Sequence, residues 1–74
     1  MSSQYSATTL DVNVNYNGTI VPIEIDNVSW NGDNFTGTID GISMSGVDNN
    51  GNISGSVDYM RQQINANGVV TGWN

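Results

Sequence analysis

The sequence has no cysteine, no histidine and no lysine, and Arg61 is its only cation. Without cysteine there are no disulfides or thiolate metal sites, and without histidine the usual zinc ligand sets are missing. The same absences remove the side chains that most often serve as catalytic bases and nucleophiles. We therefore expect no enzymatic activity, no catalytic residue, no cofactor and no metal site.

The charge balance argues against a second class of function. The net charge is -6, whereas proteins that bind nucleic acid neutralise phosphates with several Lys and Arg side chains. No apolar run approaches the roughly 18 residues of a membrane span. The N-terminus lacks the basic start and the apolar middle of a signal peptide. The sequence predicts a protein made in the cytoplasm without a signal peptide, with neither nucleic acid nor membrane as a partner.

Turn-forming dipeptides recur along the chain and predict its strands. Asn-Gly occurs at 17–18, 31–32, 50–51 and 67–68, and Asp-Gly occurs at 40–41. Both dipeptides tolerate the positive φ angles of a type I′ hairpin turn. They divide the chain into about six strands, at 8–16, 19–29, 34–39, 42–47, 52–64 and 69–73. Residues 1–7 are predicted to be an N-terminal arm and residues 8–74 a single β domain.

The hydrophobic pattern agrees with pairing across these turns. Two-residue turns at 17–18, 40–41 and 50–51 set apolar residues of each strand opposite apolar residues or glycines of the next. Near Asn27 the apolar phase shifts, which predicts a bulge or a short loop, and a bulge or local turn is expected between Tyr59 and Ile64. Pro22 lacks an N–H donor, so its strand should be an edge or face outward there. The predicted fold is all-β, an antiparallel meander forming a strongly curved sheet or a small barrel. Twelve residues are predicted to share its buried side: Leu10, Val12, Val14, Val21, Ile23, Ile25, Phe35, Ile39, Ile42, Met44, Val57 and Tyr59.

Three polar features are candidate sites, and each has a plainer interpretation. Asp11 is predicted to lie opposite Glu24, with Asp26 on the same face. Two interpretations are open for this acidic cluster: a calcium ion that bridges the carboxylates, or a solvated acidic face, which we favour. Residues 48–52 resemble the start of a calcium loop, but the glycine comes one place early and Tyr59 stands where the ligating Glu belongs. A row of uncharged polar residues suits either carbohydrate binding or simple hydration of the sheet. That row contains Asn13, Asn15, Thr36, Thr38, Ser43, Ser45, Ser54 and Ser56.

Chain length favours a function that depends on a partner. A domain of this size buries only about 60% of the surface that its unfolded chain exposes, and small domains often recover stability by association. Tyr16, Trp30 and Trp73 are the expected partner-binding residues, because aromatic side chains are enriched in interface cores. The leading hypothesis is a structural protein that assembles with a protein partner or with itself, as a virion component such as a capsid cement or a tail accessory subunit. The alternatives are a small acidic inhibitor of a host protein and a carbohydrate-binding module.

Overall fold

The computed structural model describes residues 4–74. A short 3-10 helix, Gln4–Ser6, precedes six strands that run antiparallel in chain order, and the last strand pairs with the first to close a barrel. The strands are β1 Leu10–Tyr16, β2 Thr19–Asn31, β3 Asn34–Ile39, β4 Ile42–Asn49, β5 Asn52–Tyr59 and β6 Gln62–Trp73. The predicted all-β meander is confirmed. Within the described residues no helix has the length and apolar character needed to cross a membrane.

The predicted hairpin turns at 17–18, 40–41 and 50–51 are all present. Asn17, Asp40 and Asn50 have φ angles of 52°, 50° and 54°, and each is followed by a glycine with positive φ. Asn and Gly tolerate this left-handed region better than other residues, so these dipeptides stop one strand and start the next. The turn between β2 and β3 is displaced by one residue from the predicted 31–32, since its central residues are Gly32 and Asp33.

The last two strands differ from the prediction. β5 ends at Tyr59, and a turn at Met60 and Arg61 begins β6, so the predicted strands 52–64 and 69–73 are wrong. Asn67 and Gly68 lie inside β6 instead of forming a turn. A Cβ atom on Gly68 would lie 2.6 Å from Val12 Cγ1 and 2.9 Å from the Asn13 carbonyl oxygen. The glycine therefore permits the close approach of β6 to β1 that closes the barrel.

The pairing register is the one that the hairpin turns predict, but burial falls off towards one end. In β1 and β2, Leu10 pairs with Ile25 and is fully buried, whereas Val21, further along β2, is 39% exposed. Tyr59 is 47% exposed at the end of β5. The prediction of burial is therefore wrong for these two residues, because they lie on hairpin segments that extend past the closed part of the barrel. The buried core consists of Ala7, Leu10, Val12, Ile25, Val28, Phe35, Met44 and Ile53.

A bulge in β2 explains the predicted phase shift near Asn27. Pairing with β3 shifts register between Asp26 and Ser29, and Asn27 has a φ of 54°. The bulge turns Val28 into the core, where it is 6% exposed. Its backbone N–H donates to the Thr8 carbonyl oxygen at 2.9 Å, which ties the N-terminal segment to β2.

Candidate functional site

Four aromatic rings gather at the end of the barrel where β1 begins and β6 ends, which we call the aromatic end. Trp30 is at their centre, with ring centroids 4.9 Å from Tyr5, 5.0 Å from Phe35 and 6.2 Å from Trp73. The Trp30 indole N–H donates to the Ala7 carbonyl oxygen at 2.9 Å. The donor of Trp30 is thus used within the chain, and residues 5–7 of the predicted arm cover this end of the core.

The structure separates the three predicted partner-binding residues. Trp30 and Trp73 are half-buried and pack against the core at the aromatic end. Tyr16 is 55% exposed and lies at the far end of β1. Any surface that includes Tyr16 therefore belongs to the opposite end of the barrel.

That opposite end holds the three turns at 17–18, 40–41 and 60–61, and we call it the exposed end. Among the described residues, eight large hydrophobic side chains are exposed, and six of them lie within three residues of the turns at 17–18 and 60–61. These six are Tyr16, Ile20, Val21, Tyr59, Met60 and Ile64. Scattered exposed apolar side chains are ordinary on a protein surface, whereas their concentration in one region marks an interaction site.

The β5–β6 turn has the least expected sequence of any turn in the fold. Met60 and Arg61 have φ angles of 52° and 64°, the type I′ geometry, but neither residue is Gly, Asn or Asp. The left-handed conformation costs an ordinary residue roughly 1–2 kcal/mol. Met60 is 79% exposed, the highest value among the exposed large hydrophobic residues, and Arg61 is the only cation. The expected bulge or local turn between Tyr59 and Ile64 is therefore present as a tight turn, but the sequence did not mark it as the boundary between two strands, because the dipeptide lacks a turn signal.

Replacing the turn with Asn-Gly is expected to stabilise the fold. The double variant Met60→Asn/Arg61→Gly relieves the strain at both residues and should raise the free energy of unfolding by about 1–2 kcal/mol. For a domain of this size, each 1 kcal/mol corresponds to roughly 4–8 °C in the thermal midpoint, which scanning calorimetry measures. The matched control Asn17→Met/Gly18→Arg places the same dipeptide in the β1–β2 turn and should lower stability by a similar amount. A lower midpoint for the first variant would contradict the strain at this turn.

Two strand segments next to the exposed end have one unpaired edge. Over the described residues, the β2–β3 ladder starts at Asp26, so Thr19–Ile25 pair with β1 alone. The β1–β6 ladder stops at Asn67, so Gln62–Ala66 pair with β5 alone. Pro22 lies in the first segment, as predicted, and removes a donor from its free edge.

The predicted acidic cluster forms on the outer face of β1 and β2. Asp11 pairs with Glu24, and Asp26 lies two residues further along β2. A side-chain hydrogen bond with Asp26 raises the pKa of Glu24 above its ordinary value of 4.5, and the nearby charge of Asp26 raises it further. Among the described residues, no group of three or more acidic side chains is placed to hold a metal ion.

The raised pKa of Glu24 predicts how stability varies with pH. A carboxyl that binds its proton more tightly in the folded state destabilises the fold when ionised, so stability should rise as the pH falls through the raised pKa of Glu24 towards 4.5. Glu24→Gln should raise the thermal midpoint at neutral pH and remove this part of the pH dependence. Calorimetry on both proteins between neutral and acidic pH isolates the contribution of Glu24. Parallel midpoint curves for the two proteins would contradict the coupling.

The predicted calcium-like segment is a tight turn closed by its own carboxylate. Asp48 Oδ1 accepts a hydrogen bond from the Gly51 backbone N–H at 2.8 Å, and the side chain is 2% exposed. In the described part of the chain, Asp48 Oδ2 has no hydrogen-bond partner. The short bond explains why Asp stands here, since a carboxylate three residues before the glycine caps the β4–β5 turn.

The outer surface of β2 to β6 contains a groove of about 630 Å³ between uncharged polar side chains. One continuous row crosses all five strands in register and consists of Ser29, Thr36, Ser45, Ser56 and Asn65. Neighbouring members of such a row are about 4.8 Å apart. Three of the eight residues of the predicted polar face, Thr36, Ser45 and Ser56, thus belong to a regular array of hydroxyl and amide groups.

In comparisons with known proteins, the chain matches no family model, no curated protein and no solved structure.

Proposed function

We propose that the protein is a non-enzymatic assembly subunit that binds another protein chain through its exposed end. The observation that supports this proposal is the Met60–Arg61 turn, where a prominent apolar side chain and the only cation lie side by side in a strained conformation. Strained, exposed residues that a more stable sequence would replace are typical of binding sites.

The chemistry of the exposed end indicates what kind of partner it fits. Tyr16, Tyr59 and Met60 offer aromatic and flexible apolar side chains, which are enriched in the cores of protein interfaces. Arg61 provides one charged hydrogen-bonding group beside them. The matching surface is an apolar socket with a carboxylate at its rim. A capsid cement or tail accessory subunit of a virion is the setting that we propose for this contact.

Photo-crosslinking in the cells that produce the protein tests this proposal. A benzoylphenylalanine at Met60 should yield a covalent adduct with a protein chain after irradiation. The matched control carries the same group at Val47, which is 44% exposed on the outer face of β4 and is remote from the exposed end. We expect adducts from Met60 and none from Val47. Equal adducts from both positions, or none from Met60, would overturn the proposal.

Carbohydrate binding by the polar face is a second candidate function, and the regular row across the groove favours it. Hydroxyl and amide groups at strand spacing suit the hydroxyls of an oligosaccharide, and Trp30 lies along the edge of the groove. Titration with soluble oligosaccharides, followed by amide NMR shifts, tests it. Shifts centred on Ser45 and Ser56 would support this candidate, whereas shifts spread over the whole barrel, or none, would reject it.

A further inference from the structure

The unpaired edge of β6 is the surface whose partner the structure defines most closely. Gln62–Ala66 pair with β5 on one side, and no strand of the described chain pairs with their other side. In a two-residue hairpin the pair next to the turn is hydrogen-bonded, and bonded pairs then alternate along the ladder. Gln62 and Ile64 therefore direct their backbone groups to β5, while Gln63 and Asn65 direct theirs away from it.

We infer that this edge pairs with the same edge of a second copy of the chain, an inference that builds on the proposed assembly function. Antiparallel pairing about Ile64 places Gln63 opposite Asn65 of the second copy, and the two-fold axis repeats the pair. Four backbone hydrogen bonds result, and the two Ile64 side chains, each 40% exposed, meet at the axis. A two-fold contact of this kind closes on itself and yields a dimer.

Charge decides in favour of the β6 edge over the other free edge. Two copies with a net charge of -6 each repel one another. The β5–β6 hairpin is locally neutral because Arg61 balances Asp58, whereas the free edge of β2 is next to the acidic cluster that contains Glu24. Pro22 also interrupts the β2 edge. The β6 edge contains neither proline nor an acidic residue between Gln62 and Ala66, so it lacks the devices that prevent edge pairing.

Sedimentation equilibrium of the purified full chain over a wide concentration range tests the dimer. The apparent mass of the wild-type protein should rise with concentration from the mass of one chain to that of two. Asn65→Pro removes an N–H that faces the free edge and leaves pairing with β5 intact, so it should weaken association by up to about a hundredfold, with two hydrogen bonds lost per dimer. The matched control Asn65→Thr keeps this N–H and should remain dimeric. A monomeric wild type, or identical association of the two variants, would overturn the inference.

Amide hydrogen exchange on the wild-type protein tests the same dimer without any substitution. The amides of Gln63 and Asn65 should exchange more slowly at high concentration, while the amide of Ile20 on the free edge of β2 should not change. Unchanged exchange at Gln63 and Asn65 would overturn self-pairing. If the purified chain forms no dimer while Met60 forms an adduct with a different protein, self-pairing is overturned and the proposed function stands, whereas the absence of any Met60 adduct would remove the proposed function itself.

Discussion

Gly68→Ala is expected to lower the free energy of unfolding by about 3 kcal/mol, near the upper end of the usual cost of overpacking. The added Cβ would lie 2.6 Å from Val12 Cγ1 and 2.9 Å from the Asn13 carbonyl oxygen, and a backbone atom cannot move aside as a side chain can. The two strands must separate where the barrel closes. A domain of this length has a total stability of roughly 4–11 kcal/mol, so urea unfolding will measure the loss readily.

Gly18→Ala is the matched control for this effect. A Cβ there meets no atom within 4 Å, although the residue has a φ of +81°. The cost should be limited to the left-handed conformation, about 1 kcal/mol. Equal losses of unfolding free energy for the two variants would show that crowding between β1 and β6 adds nothing to the cost of Gly68→Ala.

Trp30→Ala should cost about 3–5 kcal/mol, the range measured for truncation of a packed Trp. Its ring contacts Tyr5, Phe35 and Trp73, and its N–H satisfies the Ala7 carbonyl oxygen. We expect residues 4–9 to detach from the barrel as well, which limited proteolysis detects as new cleavage before β1. Because Trp30 was a predicted partner-binding residue, the variant separates a structural role from a binding role.

Two further substitutions make the Trp30 result interpretable. Tyr16→Ala removes an aromatic side chain that is 55% exposed and should change stability by no more than about 0.5 kcal/mol. Trp30→Phe keeps most of the ring packing and loses the indole donor, for about 1 kcal/mol. If Trp30→Ala instead has the stability of the wild type and loses only partner binding, then Trp30 is a binding residue. Its contacts within the chain would then contribute little to the stability of the fold.

The sequence predicts the first four strands well because two local signals coincide there. Asn17–Gly18 and Asp40–Gly41 set the turns, and the alternating apolar residues independently require the same register. The boundary between β5 and β6 does not have this agreement. The turn at Met60 lacks a turn residue, and the glycine at position 68 serves close packing of β6 against β1. The Asn-Gly dipeptide alone does not show whether its glycine forms a turn or permits close packing of two strands. The close packing depends on a strand that is far away in the sequence.

The candidate site was harder to predict than the fold because it depends on how far each strand reaches around the barrel. Periodicity assigns Val21 and Tyr59 to the inner side correctly, but it does not tell where the neighbouring strands stop. The free edge of β6 exists only because β1 ends pairing at Asn15. Composition identified the aromatic residues as distinctive, yet only the closed barrel divides them between its core and its surface.

The aromatic end also provides an optical measure of barrel closure. Trp30 belongs to β2 and Trp73 to β6, and their rings lie 6.2 Å apart with planes 30° from parallel. Two indoles at that separation couple electronically and split their absorption into circular-dichroism bands of opposite sign. The split disappears when the sixth strand leaves the first, even if every hairpin stays intact. A stopped-flow record of this signal would time ring closure separately from hairpin formation, without any added dye.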